Sequence, residues 1–395
     1  MIEKASGFPD KPRIRPQDPR FSSGPCKKFP GWDISRLNTN FLGRSHRAKK
    51  PKTRLSSAIE RSHALLDLPP DWKLGIVPGS DTGALEIALW SMLGCRPVDA
   101  LVWDSFSSDW AKDLNTLGIP DLAVYQAKYG ELPDLSHVQP DHDVVFVYNG
   151  TTSGVRLPDL DWLGSDRSGL VICDATSAAY AMPMDFSKLD VVTWSWQKVL
   201  GSEAAHGMLA LSPRAVERLE SYTPSRPLPK LFRLTKNGKL TEGIFTGATI
   251  NTPSMLALED LHAALDWAES IGGLPALWQR TQDNFECIDA WVEQSAWIDW
   301  LASDPATRSP TSMCLKIVDG GFVALARDEQ QAAINTMLGW LEQENSALDI
   351  GNYRSAPPGF RVWGGATVER DDLAALTPWL DWAFANFKHQ FQEQR

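Results

Sequence analysis

The sequence is poor in cysteine, with five in 395 residues, at positions 26, 95, 173, 287 and 314, and no CxxC pair. That spacing suits neither a zinc site nor a disulfide framework, so no metal is expected and a reducing, cytoplasmic setting is. It also lacks any run of about 18 uncharged apolar residues, which predicts no membrane span. Positive charge is not in excess: Lys plus Arg number 39 against 49 Asp plus Glu, a net charge of -10. A general nucleic-acid binder needs the opposite balance, so no nucleic-acid partner is expected. The opening stretch MIEKASGFPDKPRIRPQDPR has no apolar core of the secretory-signal kind. Tryptophan is abundant, at 17, but falls in no fixed repeat. What is present, 43% hydrophobic and 22% charged residues, is the composition of an ordinary globular protein. At roughly 150 residues per domain the length suits two or three domains.

Between about residues 72 and 212, β-rich runs alternate with helical patterns. LGIVPG (74–79), DALVWD (99–104), DVVFVYN (143–149), GLVICDA (169–175), DVVTWSW (190–196) and GMLALSP (207–213) read as strands, and TGALEIALWSML (82–93) as a helix. The strand runs are almost continuously apolar, as strands buried on both faces are. Their alternation with helices predicts an α/β fold with a mostly parallel central sheet, whose ligands gather at the carboxyl ends of the strands. Residues 223–250 form a long polar connection of a length that is often functional. Helical spacing follows over 254–273 and 274–295. The C-terminal part adds strand-like MCLKIV (313–318) and FVALA (322–326), with helices at 328–344 and about 370–390. The expected organisation is an extended arm (1–20), a large domain (21–265) and a smaller α+β domain (266–395).

Three strand ends carry candidate chemistry. Asp174 closes the apolar run LVICD, and a carboxylate there needs a cationic or hydrogen-bonding partner. Lys198 follows VVTW, beside a glycine turn, where desolvation lowers a lysine's pKa and makes it a nucleophile. The loop PGSDTG (78–83) joins a strand to a helix start, a place suited to a phosphate. Each feature alone is more often an ion-paired Asp, a surface Lys or an ordinary turn. An Asp and a Lys on strand ends 24 residues apart, downstream of an anion loop, describe a site for pyridoxal 5′-phosphate. In such a site the Lys bonds the cofactor, the Asp keeps the pyridine nitrogen protonated and the loop holds the phosphate.

FSSGP (21–25), SHRAKK (45–50), YNGTTSG (148–154), the pair DATSA and SWQK, and NTP (251–253) resemble the phosphoserine aminotransferase family. That family is class V, fold type I among pyridoxal-phosphate enzymes, and the resemblance covers about residues 20–390. It implies transfer of an amino group between L-glutamate and 3-phosphooxypyruvate, in serine and pyridoxine biosynthesis. It implies Lys198 as the cofactor-bonding lysine and proton shuttle, and Asp174 at the pyridine nitrogen. Thr151 would lie near the phenolic oxygen and Gln197 at the phosphate. Ser80 and Asp81 stand where the common form has Gly-Arg, so phosphate binding would lean on backbone N–H groups. Phe106 stands at the position of the ring-stacking Trp, with Trp103 and Trp110 close by. Asn251 and Thr252 match a pair that reaches the cofactor phosphate of a neighbouring subunit, which implies a homodimer with shared sites. Arg361 matches the clamp on the substrate α-carboxylate. Tyr353-Arg354 replaces a His-Arg pair. These departures mark a divergent branch.

The window 43–54, GRSHRAKKPKTR, holds six Lys or Arg plus His46 in an acidic chain. It reads either as a solvated loop or, through His46 and Arg47, as the site of a substrate's distal anion, which a planar guanidinium suits. His206 follows the lysine turn and reads as core, and His63, His137, His142, His262 and His389 as structural or surface residues. Other readings remain: an alanine–glyoxylate-type aminotransferase, a cysteine desulfurase-like lyase with Cys314 as its candidate thiol, or a non-enzymatic regulator or scaffold.

Overall fold

The computed structural model describes residues 10–393. The main sheet draws its strands from β1 (Lys73–Pro78), β2 (Val98–Val102), β3 (Leu122–Gln126) and β4 (Asp143–Val147). After a small hairpin of β5 (Asn149–Gly150) and β6 (Val155–Arg156) come β7 (Val171–Asp174), β8 (Val191–Ser195) and β9 (His206–Leu211). The seven strands lie in the order β1-β9-β8-β7-β4-β2-β3. β2, β3, β4, β7 and β8 pair in parallel, and only β9 runs antiparallel to its neighbours β1 and β8. The apolar runs read as doubly covered strands are buried throughout in β2, β4, β7, β8 and β9. β3 was not apparent from its sequence. It is an edge strand, Val124 is 47% exposed, and a half-exposed strand lacks the continuous apolar signature.

Among the helices covering this sheet are α1 (Lys49–Leu65), α2 (Ser80–Met92), α3 (Ser105–Thr116) and α4 (Pro213–Ser221). Asp104 starts α3 with a reciprocal capping box, accepting from Ser107 N at 2.8 Å while Ser107 Oγ takes the Asp104 N–H at 3.0 Å. The start of α2 sits hard against β9: a Cβ on Gly207 would meet the Ser80 carbonyl at 2.1 Å. Glycine is therefore required there, and it brings the N-terminus of α2 to the strand ends.

A hairpin of β10 (Thr235–Lys236) and β11 (Lys239–Leu240) lies in the polar connection. It is followed by α5 (Met255–Ser270) and α6 (Leu274–Gln294). β12 (Ile298–Trp300), β13 (Ser312–Ile317) and β14 (Gly359–Trp363) form a separate antiparallel sheet. α8 (Arg327–Gln343) and α9 (Arg370–Glu393) pack together, and α9 also packs on α6. The strand expected at 322–326 is instead α7 (Gly320–Val323) and its exit. Asp319 accepts from Gly321 N at 3.0 Å and Phe322 N at 3.3 Å, and this N-cap turns a short apolar run into a helical turn. A boundary at 265/266 falls inside α5, which runs unbroken to Ser270 before Gly272-Gly273. Of the arm, the described part lies along the C-terminal helices. Lys11 and Arg15 pair with Glu344 at 2.5 and 2.9 Å, and Trp379 Nε1 donates to the Ile14 carbonyl at 2.7 Å. Among the described residues no helix is long and apolar enough to cross a membrane.

Candidate active site

β7 and β8 are parallel neighbours with Asp174 in register with Thr193, so Asp174 and the turn carrying Lys198 leave the sheet side by side at its carboxyl edge. The turn is closed by Gly201 N–H to the Lys198 carbonyl at 2.9 Å, and tied to the N-terminal segment by Cys26 N–H to the Gln197 carbonyl at 2.8 Å. Lys198 Nζ donates to the Ser23 carbonyl. Gly24 has φ +149, and a Cβ there would meet Nζ at 2.7 Å, so the segment Ser23–Pro25 closes over the amine only with glycine. Burial holds the Lys198 pKa below that of an ordinary lysine, and the charge of Arg361 pushes the same way.

Lys198 opens on a cavity of about 280 Å³ whose wall includes Asp174, Thr151, Gln197, Ser80, Asp81 and Phe106. Asp174 is held from two directions. Trp110 Nε1 donates to its Oδ2 at 3.2 Å, and Thr176 N–H to its Oδ1 at 2.9 Å. This separates the three aromatic candidates. Trp103 is 1% exposed and donates to the Val155 carbonyl at 3.1 Å, as a core residue. Trp110 lines the cavity and binds Asp174. Phe106 lines it too, with its ring 5.9 Å from that of Tyr353. The Trp110 contact was not expected from the sequence, because it depends on the rotation of α3 against the sheet.

Several buried polar atoms in this wall have no hydrogen-bond partner among the described residues: Asp81 Oδ1, Thr176 Oγ1, Ser195 Oγ and Gln197 Oε1. Buried polar groups are ordinarily satisfied, so the cavity is built for a polar ligand. Thr151 Oγ1 bonds Ser177 Oγ, and its carbonyl accepts from Ser312 Oγ at 2.6 Å. At the start of α2, Gly79 and Ser80 N–H both reach the Ala205 carbonyl, at 3.1 and 3.4 Å. The Asp81 and Thr82 N–H groups belong to the first turn, which has no intrahelical acceptors. The Asp81 side chain itself is turned inward, toward Asp174, Thr193 and Thr176. Burial, and then the Asp174 charge, push its pKa well up. Asp104 is a third buried carboxyl in the wall, its pKa raised by burial.

The residues expected to bind substrate are spread more widely. Arg361 stands on β14 opposite Cys314. Its guanidinium is 5.9 Å from the Tyr353 ring, and its buried Nε has no partner among the described residues. Arg354 lines a second cavity of about 990 Å³, which shares Asp104 with the first. His46, Arg47, Asn251 and Thr252 line neither cavity. His46 is buried, Arg47 is exposed, and Arg54 from the same basic window is committed to buried Glu259 at 2.7 Å.

Cys314 is 1% exposed within β13, its pKa pushed up to about 12 by burial. It is the opposite of the mobile thiolate that a desulfurase requires. His206 is a core residue: it accepts from Ser254 N–H at 3.0 Å, its ring centroid is 4.9 Å from that of Trp196, and burial lowers its pKa.

No family model matches the chain. A phosphoserine aminotransferase of Methanosarcina mazei is 55% identical over 375 residues, spanning 95% of this chain and 99% of its own length. Among solved structures, a phosphoserine aminotransferase from Cytophaga hutchinsonii superposes with a TM-score of 0.77 at 20% identity, covering 92% of this chain and 98% of that one. A PLP-bound phosphoserine aminotransferase from Trichomonas vaginalis gives 0.73 at 17% identity, covering 91% and 99%. At those identities the structures speak for the fold, a pyridoxal-phosphate-dependent aminotransferase architecture with a mostly parallel central sheet.

Proposed function

This chain belongs to the phosphoserine aminotransferase family, and from that premise we propose that the cavity at Lys198 and Asp174 is its active site. The enzyme is a transaminase of serine biosynthesis, exchanging an amino group between L-glutamate and 3-phosphooxypyruvate to give 2-oxoglutarate and O-phospho-L-serine. It depends on pyridoxal 5′-phosphate, and the orphaned polar atoms of the wall fit a small polar cofactor. When bound, the cofactor supplies an electron sink that acidifies the Cα–H of an amino acid. Lys198 Nζ, desolvated and held below its ordinary pKa, takes the Cα proton and returns it on the other side of the exchange. The Asp174 carboxylate, fixed by Trp110 and Thr176, would keep the pyridine nitrogen protonated. The first-turn N–H groups of α2, with Gln197, receive the phosphate. Thr151 and Phe106, both in the cavity wall, would hold the phenolic oxygen and cover the ring face. Arg361, with an unsatisfied Nε, takes the substrate α-carboxylate.

His46, Arg47 and Arg354 are assigned to the distal anion, and Asn251 and Thr252 to a neighbour's phosphate. Since four of these five line neither cavity in the single chain, a homodimer with shared sites is part of the proposal. So are a cytoplasmic location, a side role in pyridoxine biosynthesis, and a two-domain division at Gly272-Gly273 with the arm on the smaller domain. The single observation that carries the site is the buried Lys198 amine beside the doubly anchored Asp174. The test is transamination with phosphoserine against alanine, together with borohydride reduction of the bound cofactor. Preference for phosphoserine and a reduced adduct on Lys198 support the assignment. An adduct on another lysine overturns it.

A further inference from the structure

Asp81 is an unusual occupant of a helix start. The second residue of a helix commonly carries a carboxylate, because the free N–H groups favour negative charge, but there it normally faces water. Here it is 6% exposed, and its carboxyl faces Asp174, itself 7% exposed. Asp174 takes its hydrogen bonds from Trp110 and Thr176 rather than from a cation. Beside the two carboxyls, the hydroxyls of Thr176 and Thr193 are buried and turn toward the Asp81 carboxyl. Two ionised carboxylates side by side at buried positions repel, which a single proton between them relieves.

We propose that Asp81 is a positioning residue for Asp174: the two carboxyls share one proton, carried by Asp81, and present a single negative charge to the pyridine nitrogen. This rests on the cofactor reading above. A neutral Asp81 has a second consequence. Its own backbone N–H belongs to the expected phosphate site, where an ionised side chain would repel the dianion. The other titratable groups around the pair are Cys173 on β7, Asp104 before α3, Lys198 after β8, His206 on β9 and Glu203 at the cavity mouth. Burial raises Cys173 and Asp104 and lowers Lys198 and His206, so all four lean toward their neutral forms. Glu203 pairs with Lys28 at 2.7 Å.

The sign of the pH effect follows. A carboxyl whose folded pKa lies above its unfolded value, about 3.9, costs nothing below that value and costs progressively more stability as pH rises. Asn at position 81 keeps a hydrogen-bond donor and removes the titration. Ala removes both. The experiment follows the thermal midpoint of cofactor-free wild type and Asp81→Asn from about pH 5 to about pH 9. It then measures the affinity of wild type, Asp81→Asn and Asp81→Ala for pyridoxal 5′-phosphate by quenching of tryptophan fluorescence. The midpoint advantage of Asp81→Asn over wild type widens as pH rises. Asp81→Asn binds the cofactor within about threefold of wild type, and Asp81→Ala about tenfold or more weakly, as for a lost hydrogen bond to a charged group. Parallel midpoint curves overturn the shared proton, and wild-type affinity in Asp81→Ala overturns the positioning role. The midpoint comparison needs no ligand and only the near-isosteric Asn variant. A wild type that takes up no pyridoxal 5′-phosphate therefore refutes the cofactor reading while the proton question is still decided.

Discussion

Trp110 on α3 donates its indole N–H to Oδ2 of Asp174 at the end of β7, at 3.2 Å, so a helix and a strand 64 residues apart meet at one carboxylate. Thr176 N–H holds the other oxygen. Trp110→Phe keeps an aromatic wall and deletes the donor. A hydrogen bond to a charged group is worth about 1.5–3 kcal/mol, so kcat/KM for phosphoserine should fall about tenfold or more, with affinity for the cofactor weakened. A kcat/KM equal to wild type would show that the contact orients nothing the reaction uses.

Asp174→Asn tests the same carboxylate directly. An amide cannot keep the pyridine nitrogen protonated. The loss should lie in kcat, by several orders of magnitude, with cofactor affinity affected less. A fall of less than about tenfold, or about 1.4 kcal/mol, counts against the role.

Lys198→Met gives two readouts. Turnover should vanish, since no other lysine among the described residues lines the cavity. The cofactor-free variant should also be more stable than wild type at neutral pH. Lys198 is held below its ordinary pKa by burial, so its unfolded form binds more protons, and the stability it withholds returns as pH rises toward about 10.4. The midpoint advantage of Lys198→Met should therefore shrink with rising pH. An advantage independent of pH would mean that the amine is not desolvated.

The central sheet was legible because continuous apolar runs mark doubly covered strands, and Asp174 and Lys198 were legible because they interrupt such runs at their carboxyl ends. What the sequence hid depends on the phase of one element against another. Trp110 reaches Asp174 only through the rotation of α3. Asp81 sits at a helix start, where sequence reasoning places a solvated carboxylate at an anion loop, yet the close approach of α2 to Gly207 turns it against the sheet. The cover on Lys198 comes from Ser23, 175 residues away, and nothing local to SWQK announces it. The edge strand β3 and the capped turn α7 were missed or misread because short, half-exposed apolar segments carry little periodicity.

Specificity offers the sharpest separation of the proposed substrate contacts. Glutamate and phosphoserine share an α-carboxylate and carry a second anion at a similar reach, so one fixed clamp and one separate cationic patch can serve both half-reactions. Arg361, near Lys198 and with a buried Nε unsatisfied among the described residues, is the clamp. Arg361→Ala should damage phosphoserine, glutamate and alanine alike. Arg47 is exposed and lines neither cavity of the single chain, so its action requires a second subunit. Arg47→Ala should slow phosphoserine and glutamate and spare alanine, which has no distal anion. One lost charge-assisted hydrogen bond of about 1.5–3 kcal/mol corresponds to roughly ten- to two-hundredfold in kcat/KM. Phosphoserine, with nearly two negative charges on its phosphate, should lose more than glutamate. The measurement is kcat/KM for the three donors in both variants, with the oligomeric state followed by ultracentrifugation. If Arg47→Ala slows alanine as much as phosphoserine, or if a monomer is fully active, the basic segment is a solvated surface, and the distal anion is held by Arg354 at the second cavity instead.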